Sequence, residues 1–195
     1  MRRFIVGDLH GSYNLLMDKL EEINFDKTKD IMYSVGDLID RGPDSLKCLK
    51  LIEEPWFKPV MGNHEELMID VILHDRNNNL WIMNGGMWYL SEDINEVKRL
   101  ARLAEQLPYS RTIDNIGICH AESPTLDWKD AVNPNELNKS KMVWGRCKIT
   151  QKSITKNIKQ TYHGHTIKPI VTVSGNATFI DTGAYYTGNL TVLEI

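Results

Sequence analysis

The chain opens with short apolar runs, each ending on a glycine or a polar turn. Residues 4–6, 31–35 and 57–61 are too short for helices and rich in Ile, Val, Phe and Met, so they read as buried strands. Helical spacing fills the intervals. Leu16, Leu20 and Ile23 recur on one face after Ser12, a good N-cap residue, while Asp18, Lys19, Glu21 and Glu22 lie elsewhere. Leu46, Leu49 and Ile52 repeat the pattern over residues 45–52, stopped by Pro55. A third helix is predicted from Asn63 to about Leu73, burying Leu67, Ile69, Val71 and Ile72. Glu65 and Glu66 fall in its first turn, and Asn63 with Glu66 resembles a capping box.

The later chain reads differently. Residues 77–79 are expected to be a loop, and Asn84-Gly85-Gly86 a turn or helix break. Val97, Leu100, Ala101, Ala104 and Leu107 mark the longest helix, over 93–107. Residues 111–119 are expected to be a strand or a hairpin with Asp114-Asn115 at the bend, and 121–141 irregular and polar, broken by Pro124 and Pro134. Strands are expected at 169–173, 177–180 and 189–193, the first two joined at Ser174-Gly175-Asn176. Strands alternate with helices early and follow one another late. The fold expected is therefore α/β: mixed β-sheets, two of them packed together, flanked by helices, in one domain over 1–195.

Composition narrows the class without changing that picture. At 42% hydrophobic and 25% charged residues, the chain has the makeup of a globular protein, and no apolar run approaches bilayer length. Three apolar residues before Gly7 are too few for a signal peptide, and Cys48, Cys119 and Cys147 have no paired spacing. A reducing, cytoplasmic setting with no membrane partner is expected. The net charge of −3 hides an asymmetry: residues 137–180 carry eight Lys or Arg and no acid. Such a segment attracts polyanions, although a solvated Lys-rich surface is the commoner outcome.

The chemistry lies where the apolar runs stop. Gly36-Asp37-Leu38-Ile39-Asp40-Arg41-Gly42 follows the second run. Gly7-Asp8-Leu9-His10-Gly11, Gly62-Asn63-His64-Glu65, Cys119-His120-Ala121 and His163-Gly164-His165 follow others, and five of the six histidines lie in these stretches. Carboxylates and imidazoles at strand ends sit where open α/β sheets bind ligands. Asp8, His10, Asp37, Asn63, His120 and His165 form an oxygen and imidazole donor set without thiolate, which suits Mn²⁺, Fe or Zn²⁺. Six donors from five strand ends match two divalent ions roughly 3.5–4 Å apart, with Asp37 as the bridge. Their surplus positive charge favours a deprotonated bridging water and a bound phosphate. Arg41 and Arg146 can grip phosphate oxygens bidentately. His64, beside a ligand but not needed as one, is placed near a leaving group, with Asp40 to orient it as a general acid. His74 and His163 are expected to be surface or packing residues. Asp181 is expected to shape a turn.

These motifs resemble the signature of the calcineurin-like metallophosphoesterases, and within that family the chain is similar to the lambda-type serine/threonine protein phosphatases over almost its whole length. The resemblance implies a two-sheet sandwich and two metals, Mn²⁺ foremost. One metal is held by Asp8, His10 and Asp37, the other by Asp37, Asn63, His120 and His165. It implies phosphate on Arg41 and Arg146, His64 with Asp40 as the acid, and phosphoserine, phosphothreonine and phosphotyrosine proteins or peptides as substrates. No specific nucleic-acid partner is expected. The rivals are a symmetrical diadenosine tetraphosphatase, a nucleotide or cyclic-nucleotide phosphodiesterase, and a non-catalytic phosphate-binding adaptor. Tetraphosphatases of this kind carry Ala where Asp40 stands and Asp where Glu65 stands. An adaptor would be expected to have lost His64 or a ligand.

Overall fold

The computed structural model describes residues 1–77 and 79–195. In chain order the elements are β1 (Arg3–Val6), α1 (Tyr13–Glu22), β2 (Ile31–Ser34), α2 (Ser45–Lys50), β3 (Phe57–Pro59), α3 (Asn63–Ile72), α4 (Asn79–Met83), α5 (Ile94–Ala104), β4 (Ser110–Ile113), β5 (Ile116–Cys119), α6 (Lys129–Val132), α7 (Glu136–Trp144), α8 (Lys148–Gln151), β6 (Gln160–His163), β7 (Thr172–Ser174), β8 (Ala177–Phe179), α9 (Ala184–Thr187) and β9 (Val192–Glu194). The strands form two mixed sheets, ordered β3-β2-β1-β9 and β4-β5-β6-β8-β7. The pairs β1/β2, β2/β3, β5/β6 and β6/β8 are parallel, and β9/β1, β4/β5 and β7/β8 are antiparallel.

The pleat explains why the strands read as unbroken apolar runs. Successive side chains face opposite sides of a sheet. Phe4 and Val6 pack with Leu16, Leu20, Leu49 and Leu100 of the flanking helices, whereas Ile5 points the other way, into a cluster with Val35, Val60, Ile118, Tyr162 and Ile180. Both faces of β1 are thus covered, one by helices and one by the second sheet. Each such buried side chain contributes about 1.5–3 kcal/mol.

Three expectations need correction. The third helix is capped one residue earlier than the capping-box pattern suggested: Gly62 is the N-cap, and its N–H donates to Glu65, not Glu66, at 3.1 Å. Asn79 is not loop but the first residue of α4, while Asn78, of the same predicted loop, lies outside the described residues. Residues 121–141 are not irregular throughout, because α6 and most of α7 fall within them. Asn135 caps α7 by accepting from the Asn138 N–H at 2.9 Å, but only Met142 and Val143 are buried on it, so its apolar stripe is too thin to show in the pattern. Ser12 does stand at the N-cap of α1, yet its side chain makes no capping hydrogen bond. Among the described residues, no helix is long and apolar enough to cross a membrane.

Candidate metal centre

Parallel strands put their carboxyl ends on one edge, and here the two sheets bring those edges together. Asp8 follows β1, Asp37 follows β2, Asn63 follows β3, His120 follows β5 and His165 follows β6. Loops tight enough to turn these side chains inward need unusual backbone: His10, Asp37, Asp40, Arg41 and His165 all have positive φ, between 42° and 73°. Such conformations are costly for residues other than glycine and persist where surrounding structure enforces them. At Gly164 no side chain fits at all, because a Cβ there would collide with Asp8 Oδ1.

The six predicted donors converge. Asp8, His10, Asp37, Asn63 and His120 are each no more than 3% exposed, and His165 is 9% exposed. Asp37 Oδ2 lies 3.2 Å from His120 Nε2, 3.5 Å from His10 Nε2 and 3.9 Å from His64 Nε2. Asn63 Oδ1 lies 3.0 Å from His120 Nε2 and 2.9 Å from His165 Nδ1. Donor atoms of His10, Asp37 and His64 lie within 4.8 Å of one another, as do those of Asp37, His120 and His165. Asp37 belongs to both groups, as a bridging carboxylate must. Two buried polar atoms here, Asp8 Oδ1 and His165 Nε2, have no hydrogen-bond partner. Orphaned buried acceptors are rare and call for a ligand. With carboxylate, amide and imidazole donors and no thiolate, the residues present fit hard or borderline divalent ions.

A bound cation needs neutral imidazoles and ionised carboxylates; His10, His165 and Asp37 are already in that state, while His120 and Asp8 would each give up a proton to it. Burial pushes His10 and His165 down to about 3, so both rings are neutral at physiological pH. Burial works against the charge of Asp37, yet His120, His64 and His10 around it hold the carboxyl well below its usual range. His120 is buried too, which lowers it, but the charges of Asp37 and Asp8 raise it to about 10. Asp8 goes up through burial and through the Asp181 and Asp37 charges.

His64 is placed differently from the other rings. Its Nδ1 lies 2.6 Å from Asp40 Oδ2 and its Nε2 lies 3.0 Å from Arg41 Nη2. The network assigns the Nδ1 proton to the Asp40 bond. Burial lowers the His64 pKa, but the charges of Asp37 and Asp40 and the Asp40 hydrogen bond raise it overall. Arg41 also donates to His10 Nε2 at 2.8 Å, so its guanidinium spans the two rings, and it lies over the Tyr185 ring at 5.2 Å. Arg146 is on the exposed rim and donates to Thr166 Oγ1 at 3.3 Å.

The family model for calcineurin-like phosphoesterases matches residues 1–167. The chain belongs to that family. The phosphoesterase is 35% identical over 202 residues to serine/threonine-protein phosphatase 1 of Salmonella typhimurium, covering 98% of this chain and 91% of that one. It is 37% identical over 130 residues to the symmetrical bis(5'-nucleosyl)-tetraphosphatase of Vibrio vulnificus, covering 65% of this chain and 47% of that one. Its fold matches a protein serine/threonine phosphatase from Saccharomyces cerevisiae with a TM-score of 0.70 at 18% identity, over 95% of this chain and 68% of that one.

The remaining expectations sort themselves by contact. His163 is a core residue, with Nδ1 3.0 Å from Cys119 O and Nε2 2.8 Å from Thr161 Oγ1. His74 pairs with Glu105 at the surface. Asp181 caps its own turn by accepting from the Gly183 N–H at 2.8 Å. One cation of the basic segment is not at the surface: Lys148 is 8% exposed and donates to Thr125 O.

Two contributions to the phosphoesterase centre were not read from the sequence. Glu65 accepts from the N–H groups of Asp37 (2.9 Å), Leu38 (2.8 Å) and Gly62 (3.1 Å), tying the loop after β2 to the start of α3. Trp81 and Trp88 donate to Asp40. The sequence marks Glu65 as a dipole-favoured acid and as a position that differs from the tetraphosphatases, but not as the acceptor of three backbone N–H groups. Two tryptophans around Gly85-Gly86 were visible, but nothing in sequence aims an indole.

Proposed function

We propose that this phosphoesterase is a phosphomonoesterase of the protein-phosphatase type, acting on phosphoserine and phosphothreonine, and on phosphotyrosine to a lesser extent, with His64 as proton donor. The observation that carries this reading is the Asp40–His64 pair at 2.6 Å, which holds Nδ1 away from the donor cluster and leaves Nε2, now on Arg41, at the cluster's edge. Whole-length similarity to the Salmonella serine/threonine-protein phosphatase supports the same substrate class. Asp8, His10 and Asp37 would hold one divalent ion and Asp37, Asn63, His120 and His165 a second. Mn²⁺ is the first choice for this donor set, and Fe or Zn²⁺ are the alternatives. When bound, such ions act as Lewis acids toward water and phosphoryl oxygens.

The protein's own groups do the rest. Arg41 releases its hold on His10 and His64 and, with Arg146, binds phosphate oxygens, matching a planar fork to an anion. That frees His64 Nε2 to face the ester oxygen. Asp40 fixes the ring through Nδ1 and stabilises its protonated form, so Nε2–H can be given to a departing alkoxide. Serine and threonine alkoxides are poor leaving groups and need that proton in the transition state.

A second reading, hydrolysis of dinucleoside polyphosphates, draws on the similarity to the Vibrio tetraphosphatase. Its leaving group is a nucleotide, which departs as a stable anion and has little use for the Asp40–His64 donor. A turnover panel with Mn²⁺ decides between them: phosphoserine peptide, phosphotyrosine peptide, diadenosine tetraphosphate and a cyclic nucleotide. Preference for the phosphoserine peptide in kcat/KM is expected. A preference for diadenosine tetraphosphate would replace the first reading by the second.

A further inference from the structure

Asp40 receives more hydrogen bonds than its partnership with His64 requires. The Trp81 indole N–H lies 2.9 Å from Oδ2 and 3.1 Å from Oδ1, and the Trp88 indole N–H lies 2.7 Å from Oδ1. With His64 Nδ1 on Oδ2, both oxygens of a carboxylate with 0% exposure are covered by donors. The Asp40 N–H is fixed as well, donating to Ser45 Oγ at 2.9 Å.

The chain from 79 to 91 is shaped to deliver both indoles. Trp81 sits on α4, which ends at Met83, and Trp88 sits on the 3₁₀ turn Gly86–Ser91. Between them Gly85 has φ +102°, where a Cβ would meet the Arg41 backbone nitrogen at 2.6 Å. A Cβ on Gly86 would meet the Trp81 indole at 2.6 Å. The two indoles cross edge to face at 6.3 Å, and Tyr89 stacks on Trp81 at 4.9 Å. This segment therefore backs onto both the acid's carboxylate and the backbone of Arg41.

A carboxylate held by a single hydrogen bond can rotate about its Cβ–Cγ bond and lose its aim. Donors on Oδ1 prevent that rotation, and their apolar bodies keep competing water away. An indole N–H cannot itself enter the proton transfer, because it is neutral and does not ionise in water. We propose that Trp81 and Trp88 are positioning residues for leaving-group protonation: their two indole N–H groups lock Asp40 so that Oδ2 holds His64 in line with the ester oxygen. The proposal rests on the reading of His64 as proton donor.

The test replaces each indole by phenyl, in Trp88→Phe and Trp81→Phe, alone and combined with His64→Asn. Met83→Ala, on the exposed side of the same segment, is the control, and thermal melting checks folding. The Mn²⁺-loaded enzyme is assayed on a phosphoserine peptide and on p-nitrophenyl phosphate, whose nitrophenolate departs without a proton. Trp88→Phe should lower kcat on the phosphopeptide about tenfold, near the low end for one hydrogen bond to a charged group. It should leave KM and the aryl phosphate rate nearly unchanged. In the His64→Asn background it should cost nothing further, because groups acting through one another are not additive. Equal slowing of both substrates, or an additive loss in the His64→Asn background, would reduce the indoles to packing and overturn the proposal. Should His64→Asn separate the two substrates while neither tryptophan variant does, the proposal falls and the His64 reading stands. Should His64→Asn itself slow both equally, both fall. If Trp81→Phe does not fold, the half-buried Trp88 still decides the matter.

Discussion

Removing the Glu65 carboxylate should damage stability and catalysis together, and the structure sets the scale. Three backbone N–H groups, of Asp37, Leu38 and Gly62, converge on it at 2.8–3.1 Å, and Glu65 is 0% exposed. Glu65→Ala strands all three. An orphaned buried donor costs about 1–3 kcal/mol. Water entering the vacated space recovers part of the sum, leaving roughly 3–5 kcal/mol by that scale. At about 2–4 °C per kcal/mol for a chain of this size, melting should drop by roughly 6–20 °C. Glu65→Gln is the finer probe. Its amide oxygen, in the place of Oε2, still serves Asp37 and Gly62, but its NH₂ then faces the Leu38 N–H, donor against donor. One bond is lost and one contact becomes repulsive, about 1–3 kcal/mol. Because Asp37 is built on the loop that Glu65 restrains, turnover should fall in the same order, Ala more than Gln. Thermal melts and phosphopeptide turnover measure both. A Glu65→Ala enzyme that melts within about 2 °C of the parent, no more than the smallest shift for a single orphaned donor, would refute the reasoning.

Three further outcomes are expected. His64→Asn should slow phosphoserine hydrolysis by roughly 10²–10⁴, the usual contribution of a general acid, with metal content intact and p-nitrophenyl phosphate hydrolysis much less affected; loss of an ion on metal analysis would make His64 a ligand instead. Asp37→Ala should lower the affinity for both divalent ions and abolish turnover, and titration showing two Mn²⁺ bound at parental affinity would remove Asp37 from the bridge. Asp30 accepts from the Arg2 backbone N–H and guanidinium, which hold it down to about 2. Its folded pKa is below its unfolded value of about 3.9, so its stabilisation is complete above that value and lost as pH falls toward 2. Asp30→Asn should therefore lower the melting temperature at neutral pH, with the gap to the parent narrowing below about pH 4; a gap that stays constant would show that the carboxylate charge is not what Arg2 holds.

Much of the site was legible because ligand chemistry and strand ends coincide in the sequence. Asp8, Asp37, Asn63, His120 and His165 each follow an apolar run, and the parallel pairing of those strands within each sheet brings the ends together. The fold class was legible for the same reason. The cap of α3 and the contents of 121–141 were not. Gly62 caps α3 because Glu65, reaching back, also serves two N–H groups in the loop after β2, a long-range demand that local pattern does not carry. Helix α7 is held by two buried residues and one asparagine cap, too little periodicity to register. Nothing in the sequence gives Trp81 or Trp88 a partner, and only the folded segment around Gly85 shows which way their N–H groups point.

The sheet order has a consequence for how the protein is made. The strand β9 (Val192–Glu194) returns to pair with β1 (Arg3–Val6), so the first sheet is completed only after every strand of the second has been synthesised. The second sheet, lying between them in the chain, supplies His120 and His165. Asp8, Asp37 and Asn63 precede His120 and His165 in the chain, so the donor cluster is incomplete until the second sheet folds against the first. Assembly of the donor cluster is thereby a late event in the life of the chain, and a ribosome-bound fragment ending before residue 165 holds only part of it.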